Sequence, residues 1–166
     1  RIASFPVNSN LAAEEDQKTG TSAEIITASA DGMMLIYSDS PAKRVGFIDI
    51  ADPANPKPAG FVKMEGEPTS VYASGAMVLA GVNTSKSKAE PSGVLAAIDL
   101  ASKSVSASCD VGGQPDSVAV SPDGSIAAVA VENERDEEVN DGEIPQAPGG
   151  HVVIFKLKDG APDCAS

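Results

Sequence analysis

The fold is decided by the stretch Gly112-Gly113-Gln114-Pro115-Asp116-Ser117-Val118-Ala119-Val120-Ser121-Pro122-Asp123-Gly124. It predicts an entry turn, a short strand of small apolar residues and a second turn that ends in Asp-Gly. A related stretch occupies residues 66–75, and a weaker copy occupies residues 21–32. The other predicted strands follow each of these copies in the same order. The sequence therefore predicts three copies of one structural unit.

The repeat has a nearly constant period. Ile25 and Val71 are 46 residues apart, and Val71 and Val118 are 47 residues apart. Four strands in about 40–50 residues is the spacing of a β-propeller blade. We therefore predict an all-β fold, a β-propeller segment of about three four-stranded antiparallel blades. An ordinary β-sandwich competes with this fold, but it does not predict a repeated entry motif at constant spacing.

The period divides the chain into four parts. Residues 1–20 are predicted to hold an outer strand at 2–7 and an acidic connector. The three blades are predicted at 21–66, 67–113 and 114–166, and the third is incomplete and carries an acidic loop at 132–150. An open arc of three blades exposes a sheet face at each end. We therefore expect interfaces at both ends, with further blades from a longer chain or a partner subunit.

Composition excludes several classes of partner. The net charge of −12 argues against nucleic acid and against an anionic membrane surface, since both bind through lysine and arginine. The sequence contains no apolar run near the ~20 residues of a membrane span.

Because the sequence begins with Arg1 and has no signal-like run, we expect a mature or trimmed piece. Cys109 and Cys164 can pair in an oxidising compartment, or Cys164 can be mobile or pair elsewhere.

The acidic loop is the candidate functional site. Residues 132–143 contain seven acids and one arginine. A loop between the second and third strands of a blade opens on the same face as the entry to the innermost strand. Clustered carboxylates there repel each other unless a cation or a basic partner is present, and calcium takes 6–8 oxygen ligands. The predicted metal ligands are Glu132, Glu134, Asp136, Asp116 and Glu24. The alternative is a mobile, solvated acidic loop.

Catalytic motifs are scarce. The chain has no G-x-S-x-G elbow, and its single histidine, His151, is interpreted as a strand-edge residue rather than part of a catalytic triad. One histidine and two distant cysteines do not form a zinc site of the usual spacing. If the chain acts on phosphate, Arg135, Lys43 and Arg44 are the basic residues nearest to the predicted site.

The motif Gln114-Pro115-Asp116-Ser117-Val118-Ala119-Val120-Ser121-Pro122-Asp123-Gly124 resembles the blade motif of YVTN-type and LVIVD-type propeller repeats. Together with Glu132-Asn133-Glu134-Arg135-Asp136-Glu137 it resembles the secreted bacterial family labelled "esterase-like activity of phytase". This resemblance covers residues 21–157. It implies a secreted, periplasmic or cell-surface protein, and it agrees with calcium at an acidic mouth, as in propeller phytases.

Two functions follow from these observations. The first is a secreted or surface propeller segment that serves as a binding or assembly module. The alternative is a calcium-dependent phosphoesterase or esterase, so whether the chain is an enzyme stays open at this point.

Overall fold

The computed structural model describes residues 1–16 and 18–166 of the chain, and Gln17 of the predicted acidic connector lies outside them. In these residues, twelve β-strands and two short 3-10 helices form the whole regular structure. The strands are β1 (Ile26–Ala28), β2 (Met34–Asp39), β3 (Arg44–Asp49), β4 (Lys57–Lys63), β5 (Glu67–Ser74), β6 (Met77–Asn83), β7 (Gly93–Asp99), β8 (Ser104–Asp110), β9 (Pro115–Val120), β10 (Ile126–Val131), β11 (His151–Lys158) and β12 (Ala161–Pro162). The 3-10 helices are Val7–Asn10 and Asn140–Gly142.

The strands form three antiparallel meanders in chain order. Sheet 1 contains β1–β4, sheet 2 contains β5–β8 and sheet 3 contains β9–β12. The first strand of sheet 2, β5, packs against β1 and β2 of sheet 1 and against β9 of sheet 3. Three four-stranded sheets arranged face to face, with their first strands adjacent, are blades of a β-propeller. The predicted fold class is confirmed.

The middle strands of sheet 2, β6 and β7, are buried on both faces, which explains why they are apolar at almost every position. Along β6, Val78 and Val82 point into a core shared with sheet 1, which also contains Phe47. Between them, Leu79 points into a second core shared with sheet 3. Alternate residues of a strand point to opposite faces, so burial of both faces requires an unbroken apolar run. Small residues such as Ala80 let the neighbouring sheets approach closely.

The outer face of sheet 1 is covered over β3 and β4 by the N-terminal segment (residues 1–16), so the face expected to be exposed at this end is only partly open. Asn10 is buried at 5% exposure. Its side chain donates to the Tyr37 hydroxyl (3.0 Å) and the Phe47 carbonyl (2.8 Å), and it accepts the Gly60 N–H (3.2 Å). Gly46 makes room for Tyr37, because a Cβ atom there would overlap the tyrosine ring.

The predicted outer strand at residues 2–7 is wrong. These residues, all of which the structure describes, form no strand, and a 3-10 helix begins at Val7. Pro6 lacks a backbone N–H, and this segment lies across a sheet face instead of pairing along a strand edge.

The third blade is more complete than predicted, since β12 adds a fourth strand through the pairs Leu157–Pro162 and Lys158–Ala161.

A buried ion pair lies beneath the N-terminal segment. Asp39 is 1% exposed and Arg44 is 3% exposed, with Arg44 Nε 3.4 Å from Asp39 Oδ2. Glu15 extends this network, because its Oε2 lies 3.2 Å from Arg44 Nη1. The Ala12 backbone N–H that Glu15 accepts, followed by the charge of Arg44, lowers the pKa of Glu15 although partial burial opposes the shift. These contacts attach the N-terminal segment to sheet 1 by charge as well as by packing.

Candidate functional site

Five loops lie at one edge of the three sheets, which we call the loop face. In an antiparallel meander, alternate connections lie at the same edge, so every second connection belongs to this face. The loops are residues 40–43, 64–66, 84–92, 111–114 and 132–150. Two of them are joined directly, because the Gln114 N–H donates to Asn133 Oδ1 at 3.0 Å. Neighbouring blades therefore present one continuous surface here.

The acidic loop of residues 132–150 is organised by the side chain of Asn133. Besides accepting from Gln114, Asn133 donates through Nδ2 to the carbonyl oxygens of Pro148 (3.1 Å) and Gly149 (3.2 Å). These bonds hold the beginning of the loop against its end. Asn133 also fixes the loop to the connection between sheets 2 and 3.

Gln146 organises the middle of the same loop. Its Oε1 accepts the Asp136 N–H at 2.8 Å, and its Nε2 donates to the Asp136 carbonyl at 2.9 Å and to the Val139 carbonyl at 3.2 Å. Local side-chain to backbone bonds of this kind give a loop a defined backbone course. Sequence reasoning missed both amide residues. The available signal was the presence of uncharged hydrogen-bonding amides in a loop otherwise rich in acids.

The predicted metal ligands lie at several separate places. Glu24 precedes β1 of sheet 1, and the Ser40 hydroxyl donates to its Oε2 at 2.7 Å. Asp116 is exposed on β9 of sheet 3. Sheet 2 stands between these two positions.

The three predicted ligands in the acidic loop have their own contacts. The Glu132 N–H donates to the Gln114 carbonyl at 2.9 Å, and Asp136 Oδ1 accepts the Glu138 N–H at 2.9 Å. Glu134 forms an ion pair with Lys88. Across residues 1–16 and 18–166, no three His, Cys, Asp or Glu side chains are grouped to hold a metal ion. The calcium site stays a prediction.

His151 is the first residue of β11, at the edge of the loop face. Its Nε2 lies 3.0 Å from the Val111 carbonyl oxygen. With the proton on Nε2, the ring donates across the boundary between sheets 2 and 3. This contact is structural in kind, since it joins two blades.

A cavity of about 230 Å³ lies on the loop face, between the loops of residues 84–92 and 132–150. We call it the loop-face cavity. Lys88 and Glu134 connect its two sides, with Lys88 Nζ 3.9 Å from Glu134 Oε2. The lining residues are Lys88, Ala89, Asn133, Glu134, Val139, Asn140, Pro145, Gln146, Ala147 and Pro148.

Arg44 is the one predicted phosphate-binding residue that the structure removes from consideration. It is 3% exposed and paired with Asp39 and Glu15, so its guanidinium group cannot meet a ligand on the loop face. Arg135 lies in the acidic loop and is about half exposed.

Residues 24–166 match the choice-of-anchor I domain family. The chain belongs to this family. The match includes all three sheets and the acidic loop. Membership of a choice-of-anchor family indicates a secreted or surface-anchored protein, and the Cys109–Cys164 disulfide agrees with an oxidising compartment.

Solved structures share the fold of this choice-of-anchor I domain. Hydrazine synthase of Kuenenia stuttgartiensis matches with a TM-score of 0.57 and 18% identity, over 67% of this chain and 30% of the other. A luciferin-regenerating enzyme matches with a TM-score of 0.58 and 18% identity, over 84% of this chain and 46% of the other. The choice-of-anchor I chain thus spans less than half the length of either protein. At this identity the likeness shows the fold alone.

No curated protein is similar enough in sequence to count as a relative of this choice-of-anchor I domain. Within the described part of the chain, no helix has both the length and the apolarity that crossing a membrane requires.

Proposed function

We propose that this chain is a binding and assembly module of a secreted or surface propeller protein, and that its assembly surface is the outer face of sheet 3. The observation that carries the proposal is the exposure of apolar side chains on that face. Val152 is 63% exposed, Ile154 is 64% exposed and Ile126 is 42% exposed. The residues between them, such as Val129 and Phe155, are buried against sheet 2.

The strand register supports a single apolar patch. Ala128 pairs with Ile154 and Ala130 pairs with Val152, so these four side chains share one face. Ala119 of β9 pairs with Ala128 and continues the patch toward the first strand. We call this patch the open face. Its alanines leave room for another sheet to approach, as the small residues of sheet 2 do.

The corresponding face of sheet 2 shows what kind of partner fits. There, Leu79 pairs with Ala97 at the position that Ala128 and Ile154 occupy in sheet 3. Leu79 and Ala97 are 0% exposed because sheet 3 covers them. Equivalent positions in equivalent blades favour an equivalent cover. The partner that fits the open face is therefore a further propeller blade, from a longer chain or another subunit.

The test uses the protein in its naturally assembled form. We expect carbene footprinting to label Val152 and Ile154 much less than their exposure in the isolated chain predicts, and cross-links from Lys156 to reach a peptide with a blade pattern. Ile154→Lys is expected to release the covering blade, as measured by native mass spectrometry. Val105→Lys is the matched control, since Val105 is a strand residue, 44% exposed, outside the open face.

Two outcomes would contradict this assignment. Strong labelling of Val152 and Ile154 in a particle with the mass of one 166-residue chain would leave the open face without a partner. A particle of two copies with cross-links between their Lys156 residues would replace the further blade by a symmetric dimer.

A calcium-dependent phosphoesterase or esterase is the second candidate function. The observation in its favour is that the loop carrying Glu134 and Asp136 has a defined backbone course and borders a cavity. If calcium binds here, substitution of both residues by alanine should abolish calcium binding in isothermal titration calorimetry. Glu137→Ala with Glu138→Ala is the matched control, because it removes the same charge from the same loop. Unchanged calcium affinity in the first double variant would remove this candidate.

A further inference from the structure

The loop-face cavity has two chemically different parts. One part is apolar and consists of Ala89, Val139, Pro145, Ala147 and Pro148. The other is polar and contains the ion pair between Lys88 and Glu134 together with the side chains of Asn133, Asn140 and Gln146. A ligand that fills the cavity should therefore have an apolar stem and a polar end.

The hydrogen-bonding capacity of two lining residues is already used inside the loop. Asn133 and Gln146 each make three bonds to backbone groups that define the loop. They form walls and are not available as recognition groups without disturbing the loop. Charge recognition in the cavity therefore rests on Glu134 and on the lysine beside it.

The pair between Lys88 and Glu134 is loose. The two charged atoms are 3.9 Å apart, and the side chains are 51% and 46% exposed. An exposed pair of this length contributes little to stability, so another cation can take the place of the Lys88 ammonium at small cost. The seven acids and one arginine of residues 132–143 make the surrounding potential negative and favour a cation over an anion.

We infer that the loop-face cavity binds a lysine or arginine side chain presented by a peptide or protein partner, and that Lys88 occupies this site when the partner is absent. The methylene stem of such a side chain packs along apolar walls such as Pro145 and Pro148, while its charged end pairs with Glu134. A bare metal ion would leave those apolar walls unused. The inference is independent of the open face of sheet 3.

The test is an NMR titration of the full chain with Nα-acetyl-lysine amide, followed through the side-chain amide signals of Asn133 and Gln146. We expect these signals to shift in a saturable way. Nα-acetyl-norleucine amide has the apolar stem without the charge, so it should cause little change. Raising the salt concentration should weaken the lysine response, because an exposed ionic contact is screened.

Four single variants separate the roles of the two charged residues. Glu134→Gln should weaken binding by about tenfold or more, since it removes the charge partner. Lys88→Ala should strengthen binding by roughly threefold, because it removes the internal competitor. The matched controls are Lys86→Ala and Glu90→Gln, which break another 3.9 Å pair that does not line the cavity. Both controls should bind like the unaltered chain.

Each contrary result decides against the inference. Equal shifts with the norleucine derivative would show apolar binding only. Unchanged affinity in Glu134→Gln would remove the carboxylate from the site. Weaker binding in Lys88→Ala would show that Lys88 supports the ligand rather than competing with it. Unchanged circular dichroism spectra of the variants would establish that none of these results comes from unfolding, as expected for half-exposed side chains.

Discussion

Replacing Arg44 with methionine is expected to lower the free energy of unfolding by about 3–5 kcal/mol, the usual result of removing one member of a buried ion pair. Arg44 is 3% exposed and lies beside Asp39, which is 1% exposed. Without the guanidinium group, the Asp39 carboxylate would be buried with no cation next to it. Methionine fills much of the same space, so the loss reports mainly on charge rather than on a cavity. Urea unfolding followed by circular dichroism measures the change.

The chain contains a matched control for this substitution. Arg135 and Glu137 also form an arginine–carboxylate pair at 3.4 Å, but the two side chains are 51% and 78% exposed. Arg135→Met should therefore change the free energy of unfolding by no more than about 1 kcal/mol. Because the two ion pairs have equal distances, the difference between the two variants isolates the effect of burial on the free energy of unfolding.

A second variant separates unpaired charge from lost packing. Asp39 Oδ1 accepts the backbone N–H groups of Ser22 (2.9 Å) and Ala42 (3.3 Å), and an asparagine at position 39 keeps an oxygen for them. Adding Asp39→Asn to Arg44→Met should recover most of the lost stability. If it recovers none, the loss comes from other contacts of Arg44, which include the Phe61 ring at 4.6 Å.

Much of the fold could be predicted because its signal is periodic. The spacing between Ile25, Val71 and Val118 repeats whatever the details of packing, and turn residues such as Asp123-Gly124 mark where strands end. Burial on both faces makes β6 and β7 of sheet 2 apolar at almost every position, and such an apolar run is also visible in the sequence. These features identify blades without any knowledge of how the blades pack.

The N-terminal cover could not be predicted because it depends on individual long-range contacts. Asn10 meets Tyr37 and Gly60, which are 27 and 50 residues away. A lone asparagine in a polar segment carries no periodic signal. The pair of Asp39 and Arg44 gave no signal either, since charged residues are usually expected on the surface.

The sequence predicted where the acidic loop lies but not the contacts that its side chains make. Charge counting identified the acidic loop, and meander geometry placed it on the loop face. The sequence did not show that Asn133 and Gln146 fix the loop backbone. It also did not show that Lys88 of the neighbouring blade lies against Glu134. The contact between Lys88 and Glu134 depends on the relative position of two blades. Glu24 lies beside sheet 1 and the acidic loop follows β10 of sheet 3, and their grouping in one metal site stays a prediction.

Replacing Cys109 and Cys164 with alanine is expected to lower the free energy of unfolding by about 4 kcal/mol, from the chain entropy that a cross-link over such a loop removes from the unfolded state. The two residues form a disulfide across a sequence separation of 55 residues, with their Cα atoms 5.2 Å apart. Urea unfolding measures the change. A reducing agent should produce the same loss in the unaltered chain and should have no further effect on the double variant.

The expected loss also has a local part, because the disulfide joins sheet 3 to sheet 2. Cys109 lies on β8 of sheet 2, and Cys164 follows β12 of sheet 3. Since β12 contains only two residues, its ladder is too short to hold this edge by itself. Hydrogen exchange in the double variant should therefore speed up first at β12 and the adjoining end of β11.

The same variant tests how firmly the open face must be held to serve in assembly. Val152 and Ile154 of the open face lie on β11, the strand that β12 covers at the sheet edge. If a further blade packs there, losing the disulfide should weaken its attachment as well as the fold. A double variant that unfolds within about 0.5 kcal/mol of the unaltered chain would contradict the chain-entropy argument. It would mean that the cores between the sheets hold sheet 3 in place without a covalent link.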